Sequence, residues 1–292
     1  MYCKSKAYTT FTIINIIFIG AVGILCILPL INVLAVSLSA KHAADAGLVN
    51  LVPIDFTLDA YKETLNNVNF LNAIGISVIR TIIGTSIQLI LLFLAAYPLS
   101  LDDRTFKGRN FFAWYFVFTM LFSAGLIPWF LTVNSLGLTN TIWALVLPGA
   151  VPVFSLVLMI NFFRGIPSEL REAALIDGAG HIRVLFRIYL PISLPSIATI
   201  GLMSIVGHWN SWFDGMILIS DYTKYPLATF LQTVVVAMDF TKMNIDPSEL
   251  VNLSTRTLKA AQVFIASIPV LMVYPFLQRY FIKGMTLGSV KE

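Results

Sequence analysis

Residues 172–191 read EAALIDGAGHIRVLFRIYLP, a polar segment with several small residues that separates two strongly apolar stretches of the chain. The pair Ala173-Ala174 leaves a shallow surface, so that the backbone of another protein can approach closely. Most of the surrounding sequence has the composition of membrane-spanning helices, whereas this segment has that of a surface. We therefore begin from 165–191 as the place where a soluble partner can contact the chain.

The first half of this segment has the composition of a helix start followed by a turn. Ser168 can cap a helix N-terminus, and the carboxylates of Glu169 and Glu172 suit the positive end of the helix dipole. Gly178, directly after Asp177, permits the positive φ that a sharp turn requires. The pattern predicts a short helix that ends in a turn at Gly178.

The second half of the segment has helical periodicity. Ile182, Leu185 and Phe186 are spaced to share one face of a helix. Leu190-Pro191 is expected to end this helix, because proline removes a backbone donor and clashes with the preceding turn. The residues alone therefore predict helix, turn and helix, which is also what an ordinary amphipathic connector between two membrane helices contains.

The composition is that of a membrane protein. The 292 residues are 58% hydrophobic and only 12% charged, against about 45–50% and 25% in soluble domains. The apolar residues form blocks about as long as a helix that crosses the hydrocarbon core. A net charge of +4 does not favour a nucleic-acid partner, and two cysteines are too few for a disulfide framework. A soluble enzyme is excluded.

Six transmembrane helices are predicted within one transmembrane domain covering 1–292, which makes the chain an all-α membrane protein. Pro148 and Pro152 are expected to interrupt the fourth span, and Pro269 and Pro275 the sixth. The first span is too long for the apolar region of a signal peptide. The spans are expected at about 11–39, 70–99, 110–133, 141–163, 193–219 and 261–282.

The orientation follows from the basic residues near the ends of the spans, which are denser on the cytoplasmic side of a membrane. We therefore place both termini and 165–191 in the cytoplasm, and the longer, more acidic loops 40–69 and 220–260 outside. The cytoplasmic basic residues are Lys4, Lys6, Arg104, Lys107, Arg109, Arg164, Arg171, Arg183, Arg187, Lys283 and Lys291.

The spacing E-A-A-x3-G-x9-I-x-L-P is present at every position of the segment, and it resembles the EAA motif of the permease subunits of bacterial ABC importers. Phe122–Pro128, Trp209–Trp212 and Tyr274–Phe281 are also similar to the branch that takes up oligosaccharides or polysaccharides, including the smaller maltose-type permease. The residues that match the motif are Glu172, Ala173, Ala174, Gly178, Ile188, Leu190 and Pro191, with Asp177 beside them.

The resemblance implies a type I ABC importer permease in the bacterial plasma (inner) membrane, in which these motif residues couple the chain to an ATPase. The implied partners are a second homologous permease, two cytoplasmic ATPase subunits, an extracytoplasmic solute-binding protein that docks on the outer loops, and a saccharide. The chain has no G-x4-G-K-[ST] phosphate-binding loop. We therefore expect no cofactor and no enzymatic activity in this chain, with ATP and Mg bound by the partner ATPases.

Polar and aromatic residues within the predicted spans are candidates for the substrate pathway, because polar groups are costly in a membrane. The tryptophans either contact sugar rings or anchor the helix at the membrane interface. Arg80 either holds an acidic sugar or pairs with another helix, and Asp214 either contacts substrate or lies at the water interface. The candidates are Arg80, His208, Trp209, Asn210, Trp212 and Asp214.

Two other functions stay open at this point. An ion-coupled secondary sugar carrier would show paired acids within the spans and usually an inverted repeat, whereas we find Asp214 near the end of a span and no convincing repeat. A membrane protein that merely binds a partner through 165–191 is disfavoured by the complete motif.

Overall fold

The computed structural model describes the backbone of residues 6–236 and 255–288, and the side chains of 8–233, 256–273 and 275. No strand occurs in those parts of the chain. The acidic part of the predicted outer loop, 237–254, lies outside the described residues. The helices are α1 Lys6–Ser37, α2 Lys41–Asp45, α3 Asp59–Asn66, α4 Val68–Ser100, α5 Arg109–Leu121, α6 Leu126–Ser135, α7 Ile142–Val146, α8 Val153–Arg164, α9 Ser168–Ile176, α10 His181–Val184, α11 Leu190–Ile192, α12 Leu194–Asn210, α13 Phe213–Leu218, α14 Leu227–Phe230 and α15 Thr255–Gly288.

Three of the described helices are long and apolar enough to cross a membrane on their own, and they lie in α1, α4 and α15. Three further pairs of shorter helices meet the same length and hydropathy criteria together, each with a bend at a short break. The bends measure 116° between α5 and α6, 49° between α7 and α8, and 85° between 181–192 and α12. The described chain thus holds up to six spans if each bent pair is one span.

The residues of the third expected span, 110–133, do not form one continuous helix. Helix α5 ends at Leu121, and α6 starts at Leu126 after a segment that contains Gly125. Gly125 has a φ of 85° and a ψ of 177°, a backbone conformation that other residues rarely adopt. The glycine therefore explains why the chain turns here despite its high hydropathy.

The residues of the fifth expected span, 193–219, form two helices, since α12 ends at Asn210 and α13 starts at Phe213. The Ser211 carbonyl oxygen accepts a hydrogen bond from Arg80 Nη1 at 3.1 Å. Ser211 Oγ donates to Asp214 Oδ1 at 2.8 Å. Polar side chains thus take hydrogen bonds that a continuous helix would have made between backbone groups.

The prolines act differently in the two spans where they were expected to break the helix. A turn that contains Pro148, followed by Pro152 before α8, separates α7 from α8. By contrast, α15 runs without interruption through Pro269 and Pro275, so the expected break in the sixth span is wrong. Membrane helices tolerate proline where other groups compensate for the missing hydrogen bond.

The chain divides into two compact units, Met1–Leu71 with Val234–Ile268, and Asn72–Thr233 with Pro269–Glu292. In the first unit, a small core of Ala35, Val36, Ala43, Ala44 and Val49 joins α1 to α2 and the loop after it. Arg256 Nη1 also donates to the Ala44 carbonyl oxygen at 2.9 Å. Helix α3, at Asp59–Asn66, has a strongly amphipathic sequence.

The second unit contains the larger core. Side chains from α4, α8, the 165–191 segment and α12 meet there, so the segment is packed against membrane helices and does not hang free. The buried members are Leu92, Ala96, Tyr97, Leu99, Leu101, Leu156, Met159, Ile160, Phe163, Ile166, Val184, Leu185, Tyr189 and Ile200.

Candidate functional site

We call residues 165–191 the coupling segment. Its first helix, α9, is Ser168–Ile176, and the residue that precedes it is Pro167, whose side chain makes no capping bond. The expectation that Ser168 caps this helix is therefore wrong, because Ser168 already lies within the first turn. Gly178 has the expected positive φ, at 81°. The chain then continues into α10.

The apolar residues of the second helix do not form the single buried face that their spacing suggested. Leu185 is buried, but Ile182 is 64% exposed and Phe186 is 54% exposed. Leu185–Tyr189 forms a wider π-helical turn, which shifts the side chains that follow it from α-helical register. The buried positions are instead Val184, Leu185 and Tyr189.

The motif residues divide between the surface and the core of the second unit. The exposed ones are Glu172, Ala173, Asp177, Gly178 and Pro191. Partly buried against the core are Ala174, Ile188 and Leu190. The half that faces inward anchors the segment, and the half that faces outward remains available to a partner.

The Tyr189 side chain packs the second helix of the coupling segment against the core. Burial raises the pKa of the Tyr189 hydroxyl, Arg171 opposes that rise, and the nearby Asp102 carboxylate adds to it. The hydroxyl therefore stays protonated well above neutral pH, and the side chain enters the core without a charge. This anchor is insensitive to physiological changes in pH.

A cavity of about 430 Å³ lies within the second unit, between α4, α6, α7, α8 and α12. It holds three of the six residues proposed for the substrate pathway, namely Arg80, His208 and Asp214. The rest of its lining is Gln88, Trp129, Ala144, Leu145, Pro148, Gly149, Pro152, Ser155, Met203, Ser204, Gly207 and Ser211.

Arg80 and Asp214 form a buried ion pair in the wall of this cavity. Arg80 Nη2 donates to Asp214 Oδ2, and Nη1 donates to Asp214 Oδ1 at 3.3 Å. The Arg80 side chain is 2% exposed and that of Asp214 is 20% exposed. Of the two interpretations of Arg80, pairing with another helix is the one that the structure shows.

His208 packs closely against α4, and a neighbouring hydrogen-bonded group continues the cavity wall. A methyl group on Gly84 would come within 2.6 Å of the His208 ring, so only glycine leaves room for the ring. One turn earlier in α12, Ser204 Oγ is hydrogen bonded to Gln88 Oε1 at 2.5 Å and to Thr85 Oγ1 at 3.1 Å. Helices α4 and α12 are thus joined by polar contacts.

The other three residues proposed for the pathway do not line this cavity. Trp209 is buried on another side of α12, and Asn210 is exposed. Trp212 is exposed and contacts Phe213 edge to face, with ring centroids 5.7 Å apart. Helix α12 ends at Asn210, so His208 and Trp212 do not lie on one face of a continuous helix.

Sequence reasoning missed several cavity residues. Gln88, Ser155 and Ser204 are polar residues in apolar runs, the same signal that singled out Arg80. Trp129 lines both this cavity and a neighbouring one of about 850 Å³ that is bounded by 123–138. No sequence signal predicts that Trp129 lines the cavity, because its position depends on the break at Gly125.

Comparison with known proteins places these features in a family. Residues 14–287 match the family described as "Binding-protein-dependent transport system inner membrane component". The chain is 43% identical to Protein LplC of Bacillus subtilis, over 99% of this chain and 97% of that protein. It is 41% identical to the polygalacturonan/rhamnogalacturonan transport system permease YtcP of the same organism, over 94% and 96%.

A solved structure has the same fold. It is a bacterial ABC transporter involved in the import of the acidic polysaccharide alginate, with a TM-score of 0.87 and 30% identity over 96% of this chain and 100% of that one. The all-α fold expected from the spans is therefore that of an ABC importer permease. The chain belongs to the family of inner membrane components of binding-protein-dependent transport systems.

Proposed function

We propose that this chain is the transmembrane subunit through which an ATP-driven importer moves oligosaccharides or polysaccharide fragments into the cell. The observation that carries the proposal is the coupling segment, which has a complete EAA motif with one face packed into the helical core and the other exposed. A permease of this family that binds no nucleotide itself needs such a surface to receive movement from an ATPase.

The exposed face of the coupling segment suits a cytoplasmic ATPase. Ile176 is 86% exposed, and the exposed Ile182 and Phe186 add apolar area beside it. Apolar and aromatic side chains that water can reach are typical anchors of protein interfaces. The Glu172 carboxylate is exposed nearby, and we assign it a contact with a basic group of the ATPase.

The proposed substrate pathway runs beside the cavity of the second unit. Gln88, Ser155 and His208 offer hydrogen-bonding groups to sugar hydroxyls, and Trp129 offers an aromatic face to a sugar ring. Arg80 and Asp214 neutralise each other, so they shape this wall and do not trap an anion. The proposed pathway also includes Trp209, Asn210 and Trp212, which lie away from this cavity.

The full importer is proposed to contain a second homologous permease, two ATPases with ATP and Mg, and an extracytoplasmic binding protein. Both termini are assigned to the cytoplasm. The binding protein is assigned to the loops 40–69 and 220–260, where Val52 and Phe56 expose apolar surface. The chain is proposed to form one transmembrane domain over 1–292.

An acidic oligosaccharide is the first substrate to test, because the alginate importer takes up an acidic polysaccharide and YtcP belongs to a polygalacturonan/rhamnogalacturonan transport system. In proteoliposomes that contain the complete importer, we expect ATP-dependent uptake of a labelled oligogalacturonide. Unlabelled oligoalginate and maltodextrin serve as competitors. Stronger competition by oligoalginate than by maltodextrin shows that the importer recognises the acid group of the sugar, and the reverse order shows that it does not.

Two controls distinguish this function from that of an ion-coupled carrier. The first omits the ATPase subunits, and the second replaces ATP with a proton or sodium gradient. Uptake by this chain under an ion gradient without ATPase would refute the proposal. So would the absence of ATP-dependent uptake of every saccharide tested.

A further inference from the structure

A side-chain hydrogen bond joins the coupling segment to the end of helix α4. The Tyr97 hydroxyl lies 2.9 Å from His181 Nδ1, and the two residues are 84 positions apart in the chain. His181 is the first residue of α10, directly after the turn at Gly178. The bond therefore reaches the coupling segment at its central turn, where the two short helices meet.

Aromatic contacts extend this connection to a second membrane helix. The Tyr97 and Tyr189 rings are in edge-to-face contact, with centroids 5.0 Å apart and an angle of 90° between the planes. Phe163, at the end of α8, contacts Tyr189 in the same way at 5.3 Å and 89°. All three rings are buried, and edge-to-face pairs have a preferred geometry that resists sliding.

The first helix of the coupling segment carries a buried cation. Arg171 in α9 is 6% exposed. Its Nη2 donates to Glu172 Oε1 at 3.3 Å. Among the described residues, its Nε has no hydrogen-bond partner.

We propose that Tyr97 and His181 are positioning residues that transmit the movement of the coupling segment to α4 and α8, an inference that rests on the proposed function. A rigid transmission needs contacts that fix both distance and angle. The hydrogen bond fixes the turn of the segment relative to α4. The ring contacts fix its second helix relative to α4 and α8.

The test measures opening of the cavity, which requires no knowledge of the substrate. In the complete importer in proteoliposomes, Cys3 and Cys26 are replaced by serine and Met203 of the cavity by cysteine. The labelling rate with a membrane-impermeant maleimide added outside is compared with and without ADP and vanadate. We expect Tyr97→Phe to lower the nucleotide-induced rise in labelling about fivefold, because one hydrogen bond is lost.

Two variants separate transmission from general damage to the fold. Ser100→Ala removes only a local bond from Ser100 Oγ to the Tyr97 carbonyl oxygen in the same helix, and it should retain the full response. His181→Leu should reproduce Tyr97→Phe, whereas His181→Asn, which keeps a hydrogen-bonding group near the position of Nδ1, should recover most of the response. The double variant Tyr97→Phe/His181→Leu should be no worse than either single one.

The outcomes distinguish the two proposals. If labelling of the parent protein rises with nucleotide and labelling of Tyr97→Phe rises equally, the transmission role alone is overturned. Additive losses in the double variant overturn it as well. A parent protein whose cavity shows no response to nucleotide overturns the proposed function and, with it, the transmission role.

Discussion

Asp214→Asn is expected to destabilise the chain by about 3 kcal/mol, because it leaves the Arg80 guanidinium buried without a countercharge. The amide oxygen can still accept the hydrogen bonds that Asp214 Oδ1 receives from Ser211 Oγ and from the Gly215 backbone. The loss therefore reports on the charge and not on the local turn. The measurement is thermal unfolding of the purified importer, followed by tryptophan fluorescence.

The matched control removes both charges together. Arg80→Met/Asp214→Asn retains the local turn and leaves no buried charge unpaired, so its unfolding temperature should lie well above that of Asp214→Asn. Arg80→Met alone should lose less stability than Asp214→Asn, because Asp214 is partly exposed and can be hydrated. Equal unfolding temperatures for Asp214→Asn and the unmodified chain would show that the pair carries no net energy.

Gly178→Ala is expected to lower saccharide uptake per ATP hydrolysed by about tenfold, because a residue other than glycine at positive φ costs about 1–2 kcal/mol. No atom lies within 4 Å of the methyl group that alanine would add, so backbone conformation is the sole source of the effect. The turn is expected to relax and misplace the exposed face of the coupling segment. ATP hydrolysis and uptake are measured on the same proteoliposomes.

The neighbouring glycine provides the control. Gly180 has a φ of −74° and equally open surroundings, so Gly180→Ala makes the same chemical change without strain and should leave coupling intact. Gly178→Asn should retain much of the coupling, since asparagine tolerates the left-handed conformation. Equal coupling in the two alanine variants would refute the role of the turn.

The coupling segment was largely predictable because its structure is set by local signals. Gly178 determines the turn wherever the rest of the chain lies, and the helix-start composition before it and the helical periodicity after it predict two short helices. Local signals did not reveal the wider turn at Leu185–Tyr189, nor that Ile182 and Phe186 are exposed. At the end of that turn, Tyr189 packs against Tyr97 and Phe163, which are distant in the sequence.

The cavity was less predictable because it depends on contacts between distant parts of the chain. Hydropathy marked 110–133 and 193–219 as spans, but it does not detect the breaks made by a glycine at positive φ or by a carbonyl group that accepts a hydrogen bond from an arginine. Arg80 and Asp214 are 134 positions apart, and nothing local indicates that they pair. Both residues were candidates because charged side chains are costly in a membrane. Their pairing is visible only in the folded structure.

The central claim is that the exposed face of the coupling segment receives the movement of an ATPase. The most direct measurement is photo-cross-linking from a benzophenone placed on Ile176→Cys, after serine has replaced Cys3 and Cys26. Ile127→Cys in α6 is the control, because Ile127 is also strongly exposed but lies far from the coupling segment in sequence. We predict a cross-link from position 176, and none from position 127, to a protein that contains a G-x4-G-K-[ST] loop. Absence of that protein from the cross-link at 176, or equal capture at both positions, would contradict the account.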